Sequence, residues 1–262
     1  MSHLEVEQRD HVLVLTMNRP EARNALSPEM IVGLADAWDR IDSDEQIRCA
    51  ILTGAGGYFC SGADLKAMND AQNTSDAAKR TREDAGLAWK ALLRSHRLTK
   101  PLIAAVEGFA LAGGTEILQA TDIRVAGESA VFGLTEVTRG LFPLGGSTVR
   151  LRRQIGYTKA MEMLLVGERV PAAEAERIGL IGRVVPDGEA LATALEIAAK
   201  VAANAPLSVQ AIKRSVQETE GLAEAEALKL ELEIGLPIFG TADAREGTLA
   251  FKEKRTPHYE GR

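Results

Sequence analysis

Aromatic residues are scarce in this chain, at 4% of 262 residues, so leucine, isoleucine, valine and alanine must fill the interior. Hydrophobic residues make up 45%, enough for one compact domain or a core with a smaller helical annex. Cysteine is scarcer still. Cys49 and Cys60 form neither a C-x-x-C pair nor a disulfide framework, so two reduced, buried thiols in a cytosolic protein are expected. The histidines, His3, His11, His96 and His258, are scattered with no H-x-x-x-H or Cys/His cluster, so no metal site is expected. The opening MSHLEVEQRD has neither the basic nor the apolar region of a signal peptide, and no apolar run approaches a membrane span. A cytoplasmic protein that does not enter the membrane is the expectation. Positive charge is in the minority, with a net charge of -6, which disfavours chain-wide attraction to nucleic acid or anionic lipid. An anionic ligand must therefore meet local cations or backbone amides.

Two other chemistries are excluded by missing letters. No G-x-S-x-G is present, so a serine hydrolase elbow is absent. Gly54-Ala-Gly-Gly57 hints at a dinucleotide loop, but Phe59 occupies the place of the third glycine. The stretch Lys79 to Lys100 carries Arg80, Arg82, Lys90, Arg94 and Arg97, yet Glu83 and Asp84 interrupt it, so a solvated amphipathic face is expected rather than an RNA-binding helix.

The periodicity predicts an α/β core followed by helices. Leu4 to Glu7 and Val12 to Thr16 read as a strand pair. Ser27 and Pro28 suit a helix start, with Met30, Leu34 and Trp38 at helical spacing. Cys49 to Thr53, Leu102 to Val106, Asp122 to Val125 and Gly182 to Val185 read as strands, and a long helix is expected from about Asp76 to Leu98. Gly113-Gly114 should open another helix, and helix follows helix from Ala205. The domain reading is a core over 1–204 and a C-terminal helical region over 205–262.

Two segments place glycine where a strand passes through a loop into a helix: Tyr58 to Met68 and Val106 to Leu118. Such turns expose unpaired amides at the positive end of a helix, and two converging could hold an oxyanion. Together they resemble the signatures of the crotonase superfamily, the first through Ser61 to Lys66 and the second through Val106 to Glu116. Asn18-Arg-Pro-Glu-Ala-Arg-Asn-Ala-Leu26 and Phe251-Lys-Glu-Lys-Arg255 resemble its early and closing motifs. The resemblance spans nearly the whole chain and implies a spiral of β-β-α units with a C-terminal helical region, assembled as homotrimers or dimers of trimers. It implies an oxyanion hole from the N–H groups of Ala63 and Gly113, and a coenzyme A path along Ala63, Asp64, Leu65 and Lys66. It further implies that Phe251 and Lys254 approach the nucleotide from a neighbouring subunit. No metal or redox cofactor is implied, since coenzyme A is part of the substrate.

Hydratases of this family carry two glutamates, and Glu116 and Glu136 stand at the matching positions. Hydration needs one carboxylate to activate water and one carboxylic acid to give C2 a proton. Neighbouring carboxyls favour unlike protonation states. Glu116 is therefore expected as the base and Glu136 as the proton donor of an enoyl-CoA hydratase. An enoyl-CoA isomerase, which commonly keeps only the glutamate matching Glu136, and a non-catalytic acyl-CoA-binding homologue are the alternatives. Thr135 replaces the usual proline, and Leu144 stands where glycine is common, which bears on water placement and acyl shape. Gly140 to Ser147 looks similar to actinobacterial members, some of which handle steroid side-chain esters.

Overall fold

The computed structural model describes residues 2–68 and 72–262; the side chains of Leu65 and Met68 lie outside that description. β1 (Leu4–Arg9) and β2 (Val12–Met17) pair antiparallel, and α1 (Pro28–Ser43) carries the chain over to β3 (Cys49–Gly54), parallel to β2. α1 begins where the Ser27 hydroxyl accepts the Met30 N–H, and it buries Met30, Leu34, Trp38 and Ile41. Next come α2 (Leu65–Met68), α3 (Asp76–Glu83), α4 (Gly86–Ala91), β4 (Leu102–Val106), β5 (Phe109–Leu111) and α5 (Gly113–Leu118). β6 (Ile123–Gly127) and β7 (Val131–Gly133) lead through a 3-10 turn, Glu136–Arg139, to α6 (Ser147–Gln154) and α7 (Tyr157–Val166). β8 (Val170–Pro171), α8 (Ala172–Arg177), β9 (Arg183–Val185) and α9 (Ala190–Ala202) follow. The C-terminal part holds α10 (Pro206–Glu218), α11 (Glu224–Gly235), a 3-10 turn Leu236–Gly240, and α12 (Ala242–Glu253).

The strands form a six-stranded sheet in the order β1-β2-β3-β4-β6-β9 and a three-stranded sheet in the order β5-β7-β8. The chain alternates between them: β4 then β5 then α5, β6 then β7 then α6. Isolated bridges Cys60 to Ala110 and Leu26 to Ala63 extend the same alternation to the segment after β3. The central strands β2, β3 and β4 are buried on both faces, which explains their nearly continuous apolar runs, while the edge strand β1 is exposed from Glu5 to Arg9. Val12, Val14, Cys49, Ile51, Ile103 and Ala105 pack on α9, whose Ala190, Ala194, Ala198 and Ala202 form a stripe of small side chains four residues apart. Leu13, Leu15, Leu52, Leu102, Ala104 and Val106 face the opposite core with α1, Phe59 and Phe132. Both cysteines are free and buried, and burial pushes each thiol up to about 12.

The expected helix from Asp76 to Leu98 is instead two. The Asp84 carboxylate accepts the Gly86 N–H at 2.7 Å, and Asp84 itself is extended, which closes α3 and restarts the chain as α4. Leu93, at φ +52°, then turns the chain out of helix before Pro101. Two cations of this stretch are met by α1: Arg80 pairs with Asp36 at 2.8 Å and Lys90 with Asp39 at 2.6 Å. The three-stranded sheet is not anticipated by the periodicity, because strands of two or three residues carry too little pattern.

Candidate active site

The early motif is a brace. Asn24 is fully buried with φ +54°, and its carboxamide oxygen accepts the Arg19 N–H at 2.8 Å. Its amide nitrogen donates to Ala55 O at 2.9 Å and Tyr58 O at 2.6 Å. Leu26 N–H then donates to Gly62 O, and Asp64 N–H to Leu26 O, so the stretch Gly62 to Asp64 is held as one more strand position. The Asp64 carboxylate pairs with Arg19 at 2.8 Å and accepts the Lys66 and Ala67 N–H groups. Burial raises its proton affinity, but the Ala67 amide and the Arg19 guanidinium outweigh that and hold the carboxyl below its usual range. Asp64 therefore caps α2 and secures the motif.

Gly62 and Gly113 bring two backbones into near contact. A Cβ on Gly62 would lie 2.8 Å from the Ala112 Cβ and 3.2 Å from Gly113 N, and Gly62 sits at φ +97°. A Cβ on Gly113 would lie 3.7 Å from Ala63 N. Among the described residues neither Ala63 N–H nor Gly113 N–H has a hydrogen-bond acceptor; Gly113 is the first residue of α5, where an amide has no intrahelical partner. Ala112, just before it, is held at φ +49° and ψ −122°, a conformation that favours glycine and aims the Gly113 amide. The Ala112 N–H is anchored on Gly133 O at 2.8 Å.

Glu116 follows three residues later and is only 4% exposed. Burial raises its carboxyl above the usual value, opposed by the Gly145 and Ser147 amides, the Ser147 hydroxyl and the charge of Arg150. A Cβ on Gly145 would lie 2.6 Å from Glu116 Oε2, so the loop before α6 presses its backbone directly on the carboxylate. Glu136 opens the 3-10 turn after β7. Burial pushes its carboxyl up to about 7, and the charge of Glu116 adds to the rise. Glu136 Oε2 is buried without a partner among the described residues. Arg139 turns back to Thr135 instead of pairing with Glu136. The arrangement is a buried carboxyl and a half-buried one that feel one another, the first supplied with several donors and the second only by its own backbone amide, near two converging free amides.

The structure thus brings Ala63, Gly113, Glu116 and Glu136 together through β5, α5, β7 and the segment after β3. Lys66 is exposed on α2, and the Leu65 side chain lies outside the described residues. Phe251 is 87% exposed and Lys254 caps α12 at φ +56°. Both sit on the C-terminal helices, away from the elements that carry the glutamates. Ser147, Gln119, Arg150 and Gly145 were not singled out from sequence as site residues. The signal available was the unusual Pro143-Leu-Gly-Gly-Ser147 loop, whose hydroxyl meets Glu116. Among the described residues no cluster of His, Cys, Asp and Glu is fit to hold a metal ion, and no helix is long and apolar enough to cross a membrane.

The model of the enoyl-CoA hydratase/isomerase family matches residues 7–262. The chain is similar to enoyl-CoA hydratase EchA19 of Mycobacterium tuberculosis, at 57% identity over 98% of this chain and 96% of that one. It is also similar to the 2,3-dehydroadipyl-CoA hydratase of Escherichia coli, at 38% identity over the full length of both. A crystal structure of an enoyl-CoA hydratase from Mycobacterium tuberculosis superposes with a TM-score of 0.92 at 42% identity, covering 100% of each chain.

Proposed function

From the premise that this chain belongs to the enoyl-CoA hydratase/isomerase family, we propose that it adds water across the 2,3-double bond of trans-2-enoyl-CoA thioesters, giving 3-hydroxyacyl-CoA. The observation that carries this reading is the pair of glutamates, Glu116 buried and Glu136 half-buried, in unlike surroundings beside two free amides. Ala63 and Gly113 N–H groups receive the thioester oxygen as it gains negative charge; losing one such donor typically costs about 3–4 kcal/mol of transition-state stabilisation. Glu116 takes a proton from water while the oxygen bonds to C3. The double-bond electrons move toward the thioester, and Glu136 gives its proton to C2. The hydroxyl on C3 and the proton on C2 arrive on one face, a syn addition, and the proton left on Glu116 is passed back to Glu136 between turnovers. The raised value of Glu136 suits an acid that must stay protonated near neutrality.

The coenzyme A path runs along Ala63, Asp64, Leu65 and Lys66, with Phe251 and Lys254 of a neighbouring subunit at the nucleotide. The C-terminal region, 205–262, joins chains into trimers or paired trimers in the cytoplasm. Leu228, Leu232, Leu236 and Phe239 are 55–81% exposed in the single chain, which supports an interface and does not fit an intrachain core. Val137, Leu141, Phe142 and Leu144 are exposed beside Glu136 and offer an apolar face to a fatty acyl or steroid side-chain substrate. No metal or redox group enters this chemistry. The test is loss of enoyl-thioester absorbance with purified protein, from crotonyl to long-chain and steroid-linked esters. A fall to a hydration equilibrium with 3-hydroxyacyl-CoA as product is expected; no fall, with turnover of 3-enoyl-CoA instead, replaces this reading by isomerisation.

A further inference from the structure

Behind Glu116 lies a buried chain of polar side chains that neither the family motifs nor the proposed steps use. Ser147 is the first residue of α6 and has no exposed surface. Its N–H reaches Glu116 Oε1 at 3.3 Å, and its hydroxyl acts on the same carboxyl, lowering its affinity for a proton. Gln119, at the end of α5 and 2% exposed, donates Nε2 to Ser147 Oγ at 2.8 Å. The backbone oxygen of Gln119 accepts from Gln154 Nε2 at 2.8 Å and from Arg124 at 3.1 Å, which holds the end of α5, while its carboxamide oxygen is buried without a partner among the described residues. With its amide nitrogen toward Ser147, Gln119 donates to the hydroxyl, whose single hydrogen is then left for Glu116.

We propose that Gln119 and Ser147 are positioning residues that keep Glu116 ionised and oriented as the water-activating base, with Gln119 fixing the direction of the Ser147 hydroxyl. The proposal rests on the hydratase reading of Glu116 and Glu136. Glu136 shows the contrast: among the described residues no side chain donates to it. The other charges that act on Glu116 are the Arg150 guanidinium on α6, itself held by Gly145 O and Leu93 O, and Glu136 across the site. Arg150 draws Glu116 toward the charged form, and Glu136, once ionised, opposes it. A hydrogen bond to a charged acceptor is stronger than a neutral one, so the hydroxyl adds to the Gly145 and Ser147 amides in separating the two carboxyls into base and acid.

The test is the pH profile of kcat/KM for Ser147→Ala, Ser147→Gly, Gln119→Met and Ser147→Ala/Gln119→Met against the wild type, with binding of a saturated acyl-CoA measured alongside. The expected result is that the acidic limb, set by Glu116, moves up by roughly one pH unit, a tenfold change in the protonation equilibrium, while the alkaline limb and acyl-CoA binding stay in place. Gln119→Met is expected to shift the limb in the same direction and to add nothing in the Ser147→Ala background, because it acts through that hydroxyl. Limbs that overlay the wild type, or losses that are uniform across pH and additive, overturn the proposal. Glu116→Gln separates this from failure of the site reading. If that variant turns over normally, the hydratase assignment falls; if it is inactive while the Ser147 and Gln119 profiles overlay the wild type, only the positioning role falls.

Discussion

Replacing Glu136 by glutamine keeps the shape of the side chain and removes an ionisation that the fold resists. Burial is the main reason the carboxyl rises from 4.5 to about 7, with the charge of Glu116 adding to it. The folded state prefers the neutral acid. The stability it contributes is therefore complete below about pH 4.5 and is lost as pH rises through about 7. At about 1.4 kcal/mol per pH unit the full swing is about 3 kcal/mol, and partial contact with solvent cuts it to roughly half. Glu136→Gln cannot ionise, so its unfolding free energy is expected to improve on the wild type by about 1.5 kcal/mol between pH 5 and pH 8. Urea unfolding of both proteins at the two pH values, at one protein concentration, measures this directly. Turnover of crotonyl-CoA is expected to fall about 10²–10⁴-fold in the same variant, the usual contribution of a general acid, while acyl-CoA binding persists. Stability curves that run parallel across pH, or turnover near the wild-type rate, refute the reasoning.

Four further outcomes follow from particular contacts. Gly145→Ala places a methyl 2.6 Å from Glu116 Oε2, so kcat is expected to drop about 10²-fold through displacement of the base; steady-state kinetics on protein whose circular dichroism spectrum matches the wild type checks it. Ala112→Gly relieves a residue at φ +49° and ψ −122°, a gain of about 1–3 kcal/mol partly offset by about 0.4–1 kcal/mol of chain entropy, so the melting temperature is expected to rise by about 2–4 °C; a fall shows that no strain is stored there. Asn24→Ala removes three hydrogen bonds from a fully buried side chain and is expected to cost about 3 kcal/mol or more, read from urea unfolding, since buried backbone groups lose their partners. Leu232→Asp puts a charge on an apolar face 62% exposed in the single chain; sedimentation is expected to show smaller species with helix content retained, and an unchanged species distribution removes Leu232 from any interface.

Much of the frame is legible because its signals are strong. The apolar strands β2, β3, β4 and β6 are nearly continuous since they are covered on both faces, and Ser27-Pro28 starts α1 by ordinary capping chemistry. Glu116 and Glu136 are reachable from sequence only through motif resemblance, because a glutamate in a helix's first turn reads as a dipole contact. The three-stranded sheet is invisible to periodicity, and the break at Asp84 depends on a side chain bonding its own backbone rather than on any glycine or proline rule. Gln119 is the hardest to read. It looks like an unremarkable polar residue at a helix end, and its meaning comes from Ser147, 28 positions away, which the fold turns toward it.

The brace around Ala63 has a consequence for the order in which the molecule matures. The two free amides are aligned only when four separate stretches have met: residues 18–26, 60–64, 110–113 and Gly133. None of these is a local pairing, and contacts distant in sequence form slowly because loops must close first. Helices such as α1 and α9 can form from neighbouring residues long before that. A refolding chain therefore regains its helical spectrum ahead of its chemistry, and catalysis serves as a reporter that the last long-range joins have been made.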